Sequence, residues 1–109
     1  MSVQPPRLVL TRSVSAGRGI VVLTVAGELD LATKDQLAAE VAGVLAQPDL
    51  ARLLLDFGPL AFIDSSGIAA LVAARRTALT RGVRLTVTNC GDFAQRVLTI
   101  TGLYQELTE

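Results

Sequence analysis

Apolar and polar residues along the chain recur with two periods, near 2 and near 3.6, and the switches between them mark out strands and helices. Leu8–Thr11 reads as a short strand, and Ser15-Ala-Gly-Arg-Gly19 has the composition of a turn. Ile20–Ala26 is a nearly continuous β-branched run, the pattern of a strand covered on both faces, and it would pair with the first strand as a hairpin. Thr33, with Gln36 three residues on, matches a capping box, and Leu37, Val41, Val44 and Leu45 then form one helical stripe that Pro48 ends. Arg52–Phe57 is the next strand, broken by Gly58-Pro59. A second helix starts near Ser65 or Ser66 and runs to about Thr80, with Ile68, Leu71, Val72 and Leu79 inward, Arg75 on the same stripe and Gly82 as its C-terminal cap. Val83–Thr88 alternates as a strand with one face less buried. Asp92–Thr101 is a third helix with Phe93, Val97 and Ile100 inward, and Leu103–Leu107 a last strand.

The order is therefore β-β-α-β-α-β-α-β. Strands alternating with helices predict an α/β fold, here a single domain over residues 8–109 with a small, mainly parallel sheet, an N-terminal hairpin and helices packed against the sheet. Residues 1–7 read as a disordered tail.

Composition removes several function classes. With no His, the chain has no imidazole base, no Ser-His-Asp triad and no His metal ligand. Cys90 alone makes neither an intrachain disulfide nor a thiolate zinc site. Ten basic and ten acidic residues balance, so no footprint for a nucleic-acid backbone is expected. The start lacks the apolar core of a signal peptide, and Ile20–Ala26 and Ile68–Ala74 are too short to cross a membrane. A soluble, cytoplasmic protein is the expectation, a monomer when free.

Three features are left once the core is assigned. Ile63-Asp64-Ser65-Ser66-Gly67 sits at the start of the second helix. One reading is a helix cap, since Asp and Ser side chains accept hydrogen bonds from free backbone amides. The other is a modification site, where a phosphate would meet unpaired amides and the positive end of the helix dipole. Gly27-Glu28-Leu29-Asp30 ends a buried strand, and Asp30 either caps the first helix, in competition with Thr33, or lies with Asp64 at the strand-end edge where open α/β sheets bind ligands. Such a pair of carboxylates is a candidate for Mg²⁺ binding or acid–base work. Gly58-Pro-Leu-Ala-Phe62 reads as a loop whose Phe62 tucks under it, while Leu60, if exposed, would extend a docking surface beside the serines. No phosphate-cradling Gly-x-x-x-x-Gly-Lys is present and the only Lys is Lys34, so the chain is expected to receive phosphate rather than transfer it, with no enzyme activity, cofactor or metal of its own.

Taken together, these segments resemble a known family. Val25-Ala-Gly-Glu-Leu-Asp30, Leu53-Leu-Leu-Asp-Phe57, Phe62-Ile-Asp-Ser-Ser-Gly67 and Arg96-Val-Leu-Thr-Ile-Thr-Gly-Leu103 occur in the order seen in STAS domains, specifically bacterial anti-sigma-factor antagonists. The resemblance implies a partner switch: the unphosphorylated antagonist binds an anti-sigma factor and frees a sigma factor. The anti-sigma factor is also a serine kinase using ATP and Mg²⁺, and a serine phosphatase resets the system. By position, Ser65 is the phospho-acceptor, and Ser66 is the neighbouring hydroxyl that starts the helix. Gly67 leaves room for the kinase, Asp30 is the acidic residue near that Ser implicated in partner recognition or phosphorylation, and Asp64 shapes the turn. The departure is C-terminal: family members often add a helix after the last strand, and this chain reads as ending on the strand. The alternative is a STAS scaffold or ligand-binding module that phosphorylation does not control.

Overall fold

A computed structural model describes residues 7–14 and 19–109. The expected tail, except for Arg7, and the expected turn, except for Gly19, lie outside the described residues. The elements are β1 (Leu8–Val14), β2 (Ile20–Leu29), α1 (Lys34–Leu45), β3 (Arg52–Asp56), β4 (Leu60–Ile63), α2 (Ser65–Thr80), β5 (Arg84–Thr88), α3 (Asp92–Ile100) and α4 (Tyr104–Thr108). The sheet runs β1-β2-β3-β5, with β4 also paired to β2. Only β1 is antiparallel, opposite β2 from Leu8↔Gly27 to Val14↔Val21, so the mainly parallel sheet with an N-terminal hairpin stands.

Two elements correct the expected order. Leu60–Ile63 is a strand rather than part of a loop, because β2 is longer than β3. Its first half pairs with β3 over Ile20–Thr24 and its last residues, Gly27–Leu29, are left for β4. Leu103–Leu107 is not a strand: residues 104–108 form a helix, whose buried Leu107 donates its amide to the Leu103 carbonyl at 3.0 Å. The C-terminal helix expected to be missing is therefore present.

Side-chain periodicity on β2 separates two faces. Val21, Leu23 and Val25 are buried, as are Leu53, Leu55, Leu85 and Val87 beside them. This is the face of α1, since Arg12, opposite Leu23, pairs with Glu40 of α1 at 2.6 Å. The other face of β2 is only half-buried, so the expectation of a strand fully covered on both sides fails there. β5, by contrast, is covered on both faces, with α2 and α4 packed against it.

Two helical stripes also differ. In α2 the buried residues are Ile68, Leu71, Ala74 and Ala78, while Leu79 is 54% exposed. In α3 they are Ala94 and Leu98, while Phe93 and Ile100 are 45% and 78% exposed. In both cases alanines take buried positions while larger residues of the same helix are left outward. The α1 stripe is buried as expected, and Gly82 ends α2 in a left-handed conformation.

One buried group has no partner among the described residues: the Thr86 hydroxyl, in a residue only 3% exposed. A buried hydroxyl without a hydrogen bond costs free energy that an isosteric methyl does not. Thr86→Val is expected to raise stability by about 1 kcal/mol, read as a higher urea midpoint with an unchanged slope.

Candidate functional site

β2 and β4 run parallel and end together, and both enter helices at the same edge. Leu29 is in register with Ile63, and the Asp64 amide donates to the Leu29 carbonyl at 3.3 Å. The residues immediately after these strands, Asp30 and Asp64, are thereby brought to one place, as their positions in the sequence implied.

Asp64 is the N-cap of α2. Its backbone is extended and its Oδ1 accepts the Gly67 amide at 3.0 Å. The cap is thus supplied by Asp64 and leaves both serines free of that task. Ser65 is exposed and Ser66 half-buried, and among the described residues neither hydroxyl makes a hydrogen bond. In the first turn of a helix the leading amides have no carbonyl to bond. Those of Ser65 and Ser66 remain for an anion at the positive end of the α2 dipole.

Gly67 is buried, and its role is internal. A Cβ there would collide with the Leu29 carbonyl oxygen and lie 2.9 Å from Leu29 Cγ and 3.0 Å from Ile63 Cγ1. The space expected for a kinase is filled by the end of β2, because α2 must start close against it.

Asp30 is buried and fully engaged. Its Oδ1 accepts the amides of Ala32 at 3.0 Å and Thr33 at 3.2 Å, together with the Thr33 hydroxyl, and its Oδ2 pairs with the Arg7 guanidinium. Arg7 also reaches Glu28 at 3.4 Å. The capping box expected between Thr33 and Gln36 does not form: the Thr33 hydroxyl donates to the Glu28 carbonyl at 2.8 Å, and Gln36 donates to the Leu8 carbonyl at 3.1 Å. Asp30 does that work instead, closing the turn into α1.

Burial pushes the Asp30 carboxyl up, but the Ala32 amide, the Arg7 charge and the Thr33 hydroxyl and amide outweigh it and hold it below its ordinary 3.8. A depressed carboxylate stabilises the fold above the unfolded value and loses that contribution as pH falls through the folded one. The urea midpoint of the wild type should therefore fall relative to Asp30→Asn as pH drops below 3.8. Parallel curves for the two proteins would show that the ion pair and turn bonds do not form.

With one carboxylate held by Arg7 and two amides and the other capping α2, the two are not arranged as an open pair. Among the described residues no cluster of three or more acidic or Cys side chains is placed to hold a metal ion. A cavity of about 560 Å³ lies at the opposite end of the sheet, lined by Arg75, Leu79, Arg84 and Glu106, and includes no residue of this edge. No described helix is long and apolar enough to cross a membrane.

The segment before Ser65 places its apolar residues differently from expectation. Leu60 is half-buried against the core, while Phe62 is 39% exposed and stacks on Phe93 of α3, ring centroids 5.9 Å apart. Phe93, expected inward from the helical stripe, is 45% exposed instead, because Ala94 and Leu98 supply the buried side of α3.

The chain is thus a small α/β domain with an Asp-capped helix start at one edge of a mainly parallel sheet. The STAS domain family model matches residues 12–108, and the chain belongs to that family. The anti-sigma F factor antagonist of Paenibacillus polymyxa is 24% identical over 88 residues, 81% of this chain and 75% of that protein. An anti-sigma factor antagonist from Mycobacterium paratuberculosis has the same fold, with a TM-score of 0.79, 24% identity, and coverage of 96% of this chain and 87% of that one. So does Bacillus SpoIIAA. Its unphosphorylated form gives a TM-score of 0.76 at 23% identity over 93% of this chain and 86% of that one. Its phosphorylated form gives 0.69 at 23% identity over 93% and 89%.

Proposed function

We propose that the chain is an anti-sigma-factor antagonist that binds an anti-sigma factor with serine-kinase activity when unphosphorylated, and is switched off by phosphorylation of Ser65. The observation that carries this reading is the division of labour at the start of α2. Asp64 supplies the cap, and Ser65 is left exposed with a hydroxyl that nothing in the described chain uses. A serine placed there only to cap the helix start would have its hydroxyl bonded to a first-turn amide. The relatives named anti-sigma factor antagonists, one of them known in a phosphorylated form, support the same reading.

In this reading the kinase meets Ser65, Ser66 and Asp64 from solvent. Asp30 acts from behind, holding the β2–α1 turn and keeping Arg7 at the edge. Leu60 and Gly67 support the site from the core rather than touching the partner. The ATP, the Mg²⁺ and the transfer chemistry belong to the kinase, and a serine phosphatase removes the phosphate. The domain works in the cytoplasm, where sigma factors act.

The test is incubation with ATP, Mg²⁺ and each candidate anti-sigma kinase of the source genome, followed by peptide mass spectrometry. One phosphate on Ser65, absent from Ser65→Ala, is the expected result. If every kinase leaves the chain unmodified, the serines return to a structural role and a scaffold or ligand-binding module takes the place of the switch.

A further inference from the structure

The chain has three Phe, one Tyr and no Trp, so it has few rings to place. Phe57 is fully buried, as an apolar ring should be. Phe62 and Phe93 are not: they come from different elements, β4 and α3, and stack on each other at an interplanar angle of 25° with both rings part-exposed. Folding alone does not require this, since Leu98 and Ala94 already bury the inner side of α3.

The position of the pair is specific. Phe62 precedes the Asp64 cap by two residues, on the strand that delivers Ser65. α3 begins at this same edge and runs away from it, so Phe93 stands at the site's end of the helix. The surroundings are acidic. Glu28 is in register with Phe62, Asp64 follows it, and exposed Asp92 precedes Phe93. Among the described residues the cations beside them are Arg7, already shared between Glu28 and Asp30, and Arg96, one helical turn after Asp92 and next to it on α3, so the carboxylates Glu28, Asp30, Asp64 and Asp92 still predominate.

We infer that the Phe62–Phe93 pair is the apolar anchor on which the anti-sigma factor docks, through a surface of that partner that combines apolar contact with Arg or Lys side chains. Aromatic anchors with a polar rim dominate the binding energy of protein interfaces. A guanidinium or ammonium over an aromatic face gains a cation–π contact, and the carboxylates around the pair match its charge. The phosphate switch at Ser65 and the anchor are then distinct parts of one surface. This inference rests on the function proposed above.

The experiment measures calorimetric dissociation constants of the wild type, Phe93→Ala and Phe62→Ala with the kinase-type anti-sigma factors, at low and high salt, with circular dichroism as the folding check. Loss of affinity by about ten- to a hundredfold in each folded variant, together with weaker wild-type binding at high salt, is the expected result. Wild-type binding that both variants keep within about twofold overturns the anchor and leaves the switch standing. Salt-independent wild-type binding overturns the basic chemistry assigned to the partner. A wild type that binds none of them overturns both the anchor and the proposed function. Should a variant fail to fold, amide exchange of the wild type decides: slower exchange at residues 60–63 and 92–96 in the complex supports the anchor, and unchanged exchange there removes it.

Discussion

A phosphate on Ser65 is expected to weaken binding of the anti-sigma factor by about 30- to several-thousandfold, on the order of 2–5 kcal/mol, and to leave the domain folded. The two halves of this expectation have different causes. Within the free chain the phosphate sits at an exposed position, beside first-turn amides of α2 that have no helical partner and at the positive end of its dipole. It adds about −1.5 to −2 charge without displacing the cap, which belongs to Asp64. In a complex the same dianion is covered by a partner surface shaped for an uncharged hydroxyl and lies close to Asp64, so its bulk and its desolvation beside a carboxylate oppose binding. Titration of phosphorylated and unphosphorylated protein into the anti-sigma factor, with thermal melts of each alone, separates the two halves. Equal dissociation constants would sink the switch, and a collapsed melting transition would show that phosphate acts by unfolding instead.

Gly27→Ala is expected to cost about 2–5 kcal/mol of stability, adding backbone strain to a steric clash. Gly27 has φ +107, a conformation side chains rarely adopt, and a Cβ there would run into the Arg7 carbonyl oxygen. The geometry has a reason. β2 leaves β3 after Thr24 and takes up β4 at Gly27, with a register shift between Gly27 and Glu28 and the Gly27 amide donating to the Pro59 carbonyl at 3.2 Å. Arg7 is the residue displaced, and it accepts the Glu28 amide at 2.8 Å and pairs with Asp30. The substitution should therefore also weaken the acid-side stability that Asp30 supplies. A urea midpoint within the scatter of ordinary surface variants, about 0.5 kcal/mol, would show that β2 passes between its partners without the strained turn.

Local pattern carried much of this fold because period 2 and period 3.6 are properties of neighbouring residues. β1, β2, β3, β5, α1, α2 and α3 all lie where alternation or a helical stripe placed them, and Asp30, Asp64 and Ser65 come together because parallel strands end at a common edge. β4 was hidden for the opposite reason. Four residues after Gly-Pro show no period of their own, and they become a strand by pairing with Gly27–Leu29, distant in sequence. In α4 five residues are too few for a stripe, and the Leu103–Leu107 spacing fits an end-to-end strand nearly as well as a helical turn.

By itself, then, the order of residues determined the α/β class, the hairpin, most elements and the Asp-Ser-Ser-Gly start of α2, since propensity, capping and periodicity act over a few residues. Which side of a helix faces inward, whether a glycine serves a partner or the core, and which rings stay outside were decided only by tertiary packing. Ala74, Ala78 and Ala94 took the buried positions, and Leu79, Phe93 and Ile100 were left out. Gly67 let α2 start against Leu29. Those outcomes depend on distances between segments far apart in the chain, and burial is shared among all of them at once.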